Sequence, residues 1–281
     1  MVGVARGRRI DPARDRASRA NGVSADHYAG AARGWAEGAA IVYWPIAREL
    51  VAMSPHALAG RVVLDQGAGT GVASMVLTEL GARPLALDLS FDMLAWDAGV
   101  RPPAAIADVA RLPLHNDSVD DTVSAFVLNH LTEPEASLRE VTRVTRAGGV
   151  LLASVYANAS QSDVRDAIDE GARAEGWHAP DWYVRLKTTA VPLLGTADAM
   201  ASTARSAGLV DVLVDERAVD VGVTEPEQLV DYRLGQAPYA AWLAEVGSDK
   251  ATEIRNQLVE SIRPKMRPFL PIVVFLSALV R

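Results

Sequence analysis

The sequence predicts an α/β domain built on a doubly wound sheet, with extra helices decorating it. Three observations predict this class. Short apolar segments alternate with amphipathic ones between residues 61 and 156, three glycines crowd into five positions after the first apolar segment, and helical, aromatic-rich stretches break the rhythm only beyond residue 156. Apolar strands separated by helices form βαβ units, and right-handed crossovers cover both faces of the resulting parallel sheet.

In chain order, the Ala-rich stretch 24–58 reads as helix, with a break expected near Pro45 because proline lacks the N–H that a helix interior needs. Strands are expected at 61–66, 84–89, 104–108, 121–128 and 148–156, with helices at 72–80, 90–99 and 133–146 between them. Helices are expected at about 157–195, then a helix at 196–209, a strand at 210–221, a second helical insertion at about 222–267 and a terminal strand at 270–281. Residues 1–23 are Arg-rich and lack a secretory apolar stretch, so they read as a disordered tail. Residues 24–281 then form a single domain with its core at 61–156.

Composition narrows the function. Of 281 residues about half are apolar (49%), enough for a sizeable core, and the net charge is −7. An acidic chain is a poor match to a polyanion, so no nucleic-acid partner is expected. With no cysteine, disulfides, thiolate metal sites and a Cys nucleophile are all excluded. The longest apolar run, FLPIVVFLSALV at 269–280, is too short to span a bilayer and reads as a buried strand. A cytoplasmic location fits these features.

The stretch VVLDQGAGTGVAS (62–74) carries the chemistry. Gly67, Gly69 and Gly71 stand where the first strand turns into a helix, and glycine permits positive φ and close approach to bare backbone. A helix starting near Val72 aims free N–H groups at the same space. Asp88 ends the second strand, where a carboxylate can accept hydrogen bonds from both ribose hydroxyls, and Asp108 ends the third, within reach of an adenine amine. A tight turn and two strand-end caps would account for each feature singly. All three at the tips of successive strands make a nucleoside cleft. The order GxGxG puts Val72 where a dinucleotide fingerprint has its third glycine, and no Walker-type lysine follows.

The segments VVLDQGAGTGVAS, ALDLSFDML, IADVARLPLHNDSVD, SAFVLNHL and LREVTRVTRAGGVLLASVY resemble the successive motifs of class I S-adenosylmethionine-dependent methyltransferases, especially the small-molecule, ubiquinone/menaquinone-type group. The resemblance covers residues 61–156. It implies a Rossmann-like sheet of about seven strands, the last antiparallel, with helical cap insertions. It also implies S-adenosyl-L-methionine as cofactor, S-adenosyl-L-homocysteine as product and no metal. Carried over position by position, the implied cofactor contacts are Asp65, Gly67, Ala68, Gly69, Asp88, Leu89, Met93, Ala107, Asp108, Val109 and Phe126, with Tyr28 closing over the ligand. Gln66 departs from the small residue or valine that many members have.

Methyl transfer from a sulfonium needs an in-line nucleophile and, for some acceptors, a base. His130 after the fourth strand and His178 in EGWHAPDWY are the candidates. Asn129, Trp177, Trp182, Tyr183 and Tyr232 are expected to bind the acceptor, since aromatics concentrated in the decorating helices suit a flat or apolar molecule. Ordinary packing is the competing account of each aromatic. The expected reaction is methylation of a small molecule in specialised metabolism. A noncatalytic cofactor-binding regulator, a methyltransferase of RNA or protein, and a nicotinamide-dependent oxidoreductase are the alternatives. Acceptor, methylated atom and oligomeric state, a homodimer among the options, stay open.

Overall fold

The structure, a computed structural model, describes residues 24–281; the tail expected at 1–23 lies outside the described residues. Seven strands form one sheet: β1 (Val62–Gln66), β2 (Arg83–Asp88), β3 (Ala104–Ile106), β4 (Asp121–Ala125), β5 (Val150–Tyr156), β6 (Val210–Ala218) and β7 (Ile272–Leu279), in the order β3-β2-β1-β4-β5-β7-β6. The pairs from β3 to β5 are parallel, and β7 runs antiparallel to both β5 and β6. The order reverses direction between β1 and β4, which opens a crevice at their carboxyl ends.

Two-residue periodicity sorts the core into layers. Val150 and Leu152 of β5 join Val63, Val123, Val273 and Phe275 against one helical layer, while Leu151, Ala153 and Val155 face the other with Val274 and Leu276. The first layer includes α1 (Ala40–Ala52) and α2 (Val72–Glu79); α3 (Phe91–Ala95) follows β2, and the opposite layer includes α4 (Pro134–Val144). Central strands are buried on both faces because helices cover them, whereas β3, at the sheet edge, is exposed at all three residues.

Pro45 lies inside α1 and does not break it. Val42, Tyr43, Ile46, Ala47, Leu50 and Val51 are all buried on the sheet, and that packing outweighs the single missing backbone bond. The turn of helix before it is irregular, with a π-type segment at Trp35–Ala39. There a side chain on Gly38 would press into the Asp231 carbonyl region of the cap.

The cap comprises α5 (Asp163–Ala174), α6 (Asp181–Arg185) running into a π-type turn at Leu186–Ala190, α8 (Pro226–Leu234), α9 (Ala237–Val246) and α10 (Ser248–Ile262). Between these, α7 (Ala197–Ser206) packs beside β6. Among the described residues, no helix is long and apolar enough to cross a membrane.

Candidate active site

The glycine loop is held from several sides. Gly67 and Ala68 donate their N–H groups to the Leu87 carbonyl at 2.7 and 3.0 Å, folding the loop onto the tip of β2. Gly67, Gly69 and Gly71 all have positive φ, at 69°, 54° and 98°, but for different neighbours. A Cβ on Gly67 would overlap the Val127 side chain, whereas one on Gly69 would meet only the Met93 methyl at 3.5 Å and otherwise project into open cleft. Gly67 thus serves packing, and Gly69 leaves room for a ligand. Gly71 is the left-handed cap of α2.

Asp88 organises the rim. Its Oδ2 accepts from Gly69 N–H and its Oδ1 from Ser90 N–H, both at 2.8 Å. Burial pushes its carboxyl above the ordinary range, resisted by these backbone bonds and by Arg101. Asp65 lies deeper, 1% exposed, and accepts from Ser74 Oγ at 2.6 Å. Burial carries it up to about 6, against Ser74 and Arg101. Arg101, which sequence reasoning missed, donates to the carbonyls of Leu94, Met93 and Gly69 at 2.7, 3.2 and 3.4 Å. It staples loop to helix between the two carboxylates. Asp108 closes the far side, its Oδ1 accepting from Ala110 N–H at 2.9 Å.

The cleft so framed encloses about 1110 Å³ including its mouth, and Tyr28, Asp65, Gly67, Ala68, Gly69, Asp88, Leu89, Met93, Asp108, Val109, Phe126 and His130 line it. Ala107 is buried behind this wall. Trp35, Tyr43 and Val127 also line it, contributed by the irregular N-terminal helix and the loop after β4. A side-chain-free loop beside a buried carboxylate, with an apolar slot beyond, fits an adenosyl group with a thioether or sulfonium. Among the described residues, no cluster of three or more His, Asp or Glu is placed to hold a metal ion.

A second cavity, of about 1310 Å³ including its mouth, opens on the cap side of the same wall. Tyr28, Trp35, Tyr43, Phe126 and His130 line both spaces. Phe126 adopts φ of 57°, unusual for an aromatic residue and held by its N–H bond to the Ser154 carbonyl at 2.8 Å. Such left-handed conformations persist only where surroundings enforce them. Here the turn sets the ring 4.5 Å from Tyr156 and 5.0 Å from Tyr43, at the junction.

His130 shares that junction. The Tyr28 hydroxyl lies 2.7 Å from its Nδ1. Burial chiefly, with His27 and Lys187 adding to it, lowers its pKa to about 4, so the ring is neutral at physiological pH. Asn129 is buried beside the second cavity, and its side-chain oxygen has no partner. Tyr183 and Trp182 also line that cavity, Trp182 stacking on His27 at 4.6 Å between ring centres. Tyr232 lines it too, its hydroxyl 3.0 Å from that of Tyr156.

His178 is placed differently from the sequence expectation. It is exposed and lines neither cavity. Its neighbour Trp177 takes the inward position instead, 1% exposed, stacked 4.3 Å from Tyr239 and donating Nε1–H to the Pro238 carbonyl at 3.1 Å. Trp177 therefore serves as wall and core together. His56 anchors the other end of the sheet, its Nε2 2.9 Å from buried Asp121, which also pairs with Arg61.

Comparison with known proteins covers the strands that carry the glycine loop. Residues 64–153 match the Methyltransferase domain family. A demethylmenaquinone methyltransferase of Mycolicibacterium paratuberculosis is 35% identical over 153 residues, covering 51% of this chain and 64% of the relative. One of Mycobacterium bovis is 37% identical over 123 residues, covering 41% and 53%. The chain thus spans between half and two-thirds of the length of these relatives. Among solved structures, phosphoethanolamine N-methyltransferase 2 of Haemonchus contortus, bound to phosphomonomethylethanolamine and S-adenosylhomocysteine, aligns with a TM-score of 0.55 at 17% identity, covering 84% of this chain and 52% of that one. The [4+2]-cyclase SpnF aligns at 0.53 and 17%, covering 83% and 80%. At such identity the structures speak for fold alone, and the cyclase marks how far chemistry varies on it. Family match, sequence relatives and sheet topology agree with the resemblance read from the motifs: residues 64–153 carry a methyltransferase domain, set in a Rossmann-like sheet.

Proposed function

We propose that the protein binds S-adenosylmethionine in the glycine-loop cleft and catalyses methyl transfer to a small aromatic molecule held in the second cavity, releasing S-adenosylhomocysteine. The observation that carries this reading is the shared wall: one cleft suited to an adenosyl ligand meets a second, aromatic cavity across Tyr28, Trp35, Tyr43, Phe126 and His130.

When bound, the cofactor supplies a methyl carbon on a sulfonium, an electrophile that needs only a nucleophile in line and a dry site. Asp88 receives the ribose and Asp108 with Val109 the adenine edge, while Gly69 leaves room beside the loop for the methionine portion. Phe126, Tyr43 and Trp35 exclude water at the junction. His130, neutral and bonded to Tyr28 at Nδ1, presents Nε2 to the acceptor: with Nδ1–H donating to the Tyr28 oxygen, Nε2 takes the acceptor's proton, and with Tyr28 donating, Nε2–H orients the acceptor. The unpartnered Asn129 oxygen accepts a hydrogen bond from an acceptor hydroxyl or amine. Trp182, Tyr183 and Tyr232 hold the ring. His178 has no part in this step.

The test is formation of S-adenosylhomocysteine by the purified chain offered a panel of phenols, catechols, quinols and aromatic amines. Turnover that depends on both acceptor and His130 supports the reading. Cofactor binding without turnover on any acceptor would instead make the protein a binding module.

A further inference from the structure

Charge on the wall of the second cavity is uneven, and the cause lies on one helix. Arg165, Asp169 and Arg173 recur at four-residue spacing along α5, so they share one stripe, and all three line the cavity. Asp169 sits where it could neutralise either arginine, but it is already engaged. Arg233 donates to both of its oxygens at 2.6 Å, and the Tyr239 hydroxyl donates to Oδ1 at 2.6 Å. Arg233 gives its remaining group to Gln236 Oε1 at 2.5 Å. Arg233 also reaches the Tyr183 hydroxyl at 3.3 Å, and both Asp169 oxygens are taken, although, against burial, Arg165 adds to the field that holds its carboxyl low.

The flanking arginines are left over. Arg165, with its side chain 17% exposed, donates to the Ser160 carbonyl at 3.2 Å and stands 3.8 Å from Asp166, itself largely in solvent. Arg173 lies 5.7 Å over the Trp177 ring and makes no ion pair among the described residues. Across the cavity Lys187 likewise has no carboxylate partner among them, yet its field reaches inward. After burial and His27, it is a further cause of the low basicity of His130. With Arg233 it also holds the Tyr183 hydroxyl below its ordinary range, against burial. Three cations, Arg165 half-buried and Arg173 and Lys187 exposed, thus line the cavity with one mostly solvated carboxylate outside the Arg233 pair, in a chain whose net charge is −7.

We propose that the acceptor is an aromatic acid, its ring among the aromatic side chains beside His130 and its carboxylate paired by Arg165, Arg173 and Lys187. A neutral acceptor would cover part of these cations without replacing the water it displaced, whereas a carboxylate gives them charge-assisted hydrogen bonds. The inference rests on reading the cavity as the acceptor site, and it separates this chain from the demethylmenaquinone methyltransferases by the charge of what it accepts.

The full chain, saturated with S-adenosylhomocysteine, is titrated calorimetrically with matched probes: 4-hydroxybenzoate, 4-hydroxycinnamate and 3-hydroxy-2-naphthoate, each against its methyl ester. At least one acid is expected to bind roughly tenfold tighter than its ester. The preference should shrink between about 50 and about 500 mM salt, and also in Arg165→Gln and Lys187→Gln. Both variants should keep the S-adenosylhomocysteine affinity of the parent, which reports that they fold. Esters binding as well as acids in every pair, no binding by any acid, or a preference untouched by both substitutions would overturn it. Loss of S-adenosylhomocysteine binding by the parent would sink the functional reading itself. Its retention without acid preference sinks only this inference.

Discussion

The Tyr28 hydroxyl lies 2.7 Å from His130 Nδ1, joining the N-terminal segment to the loop after β4 across 102 positions of sequence. Both side chains line the glycine-loop cleft and the second cavity. The contact therefore closes the cleft and, if His130 acts on the acceptor, also selects which ring nitrogen is left to do so.

From this pair follows a pH profile. Because burial lowers His130 to about 4, the ring stays neutral above that point and gains a proton as pH falls through it. The rate with a phenolic acceptor should be insensitive to His130 ionisation from about pH 5 upward and should drop below it. Tyr28→Phe should lower kcat/KM about tenfold, and His130→Ala by roughly a hundredfold. A pH–rate series on the three proteins measures this; a limb near pH 6.5 assigned to His130 would contradict its burial.

The two glycines should fail in different ways. Gly67→Ala drives a methyl group into Val127 at a positive φ, a combination of overpacking and left-handed strain worth about 2–4 kcal/mol. Gly69→Ala meets only the Met93 methyl and should lose about 1–2 kcal/mol from backbone strain, while its Cβ intrudes on the cleft. Urea unfolding should rank Gly67→Ala as the less stable, and S-adenosylhomocysteine titration should show a larger affinity loss per unit of lost stability in Gly69→Ala.

Asp65 gives a stability signature. Its folded pKa of about 6 lies above that of an unfolded aspartate, so its contribution is fully present below about pH 4 and is lost as pH rises through 6. Asp65→Asn escapes that loss while still offering an oxygen to Ser74. Its unfolding free energy relative to the parent should grow between pH 4 and 7 by about 2–3 kcal/mol. A difference constant with pH would show that the carboxyl is ordinary.

The Arg233–Asp169 pair, with side chains only 7% and 13% exposed, should be costly to break from one side. Arg233→Ala strands Asp169 in the cap and should cost about 3–5 kcal/mol. Chemical denaturation measures this; a cost below about 1 kcal/mol, the range of exposed pairs, would contradict the tight Arg233–Asp169 pairing on which the charge argument depends.

What the chain revealed before folding was mostly local. Strands alternating with amphipathic helices, and glycines followed by Asp88 and Asp108 at strand tips, are patterns within short windows, so the sheet and the cleft at the glycine loop were readable. The second cavity was harder. Arg165, Asp169 and Arg173 are an unremarkable charged repeat until Arg233, from a helix more than fifty residues later, claims the middle one. Tyr43 and Phe126 reach the junction through an irregular helix and a positive φ that no residue-type preference announces. Trp177 and His178 are adjacent, and only the packing of α9 decides that the tryptophan turns in and the histidine out.

The central claim is that a bare loop tied to Asp88 grips an adenosyl ligand, and calorimetry on the purified chain addresses it most directly. S-adenosylhomocysteine is predicted to bind at a single site, NAD not to bind, and Asp88→Ala to lose at least about tenfold in affinity. Absence of heat with S-adenosylhomocysteine, or preference for NAD, would contradict it.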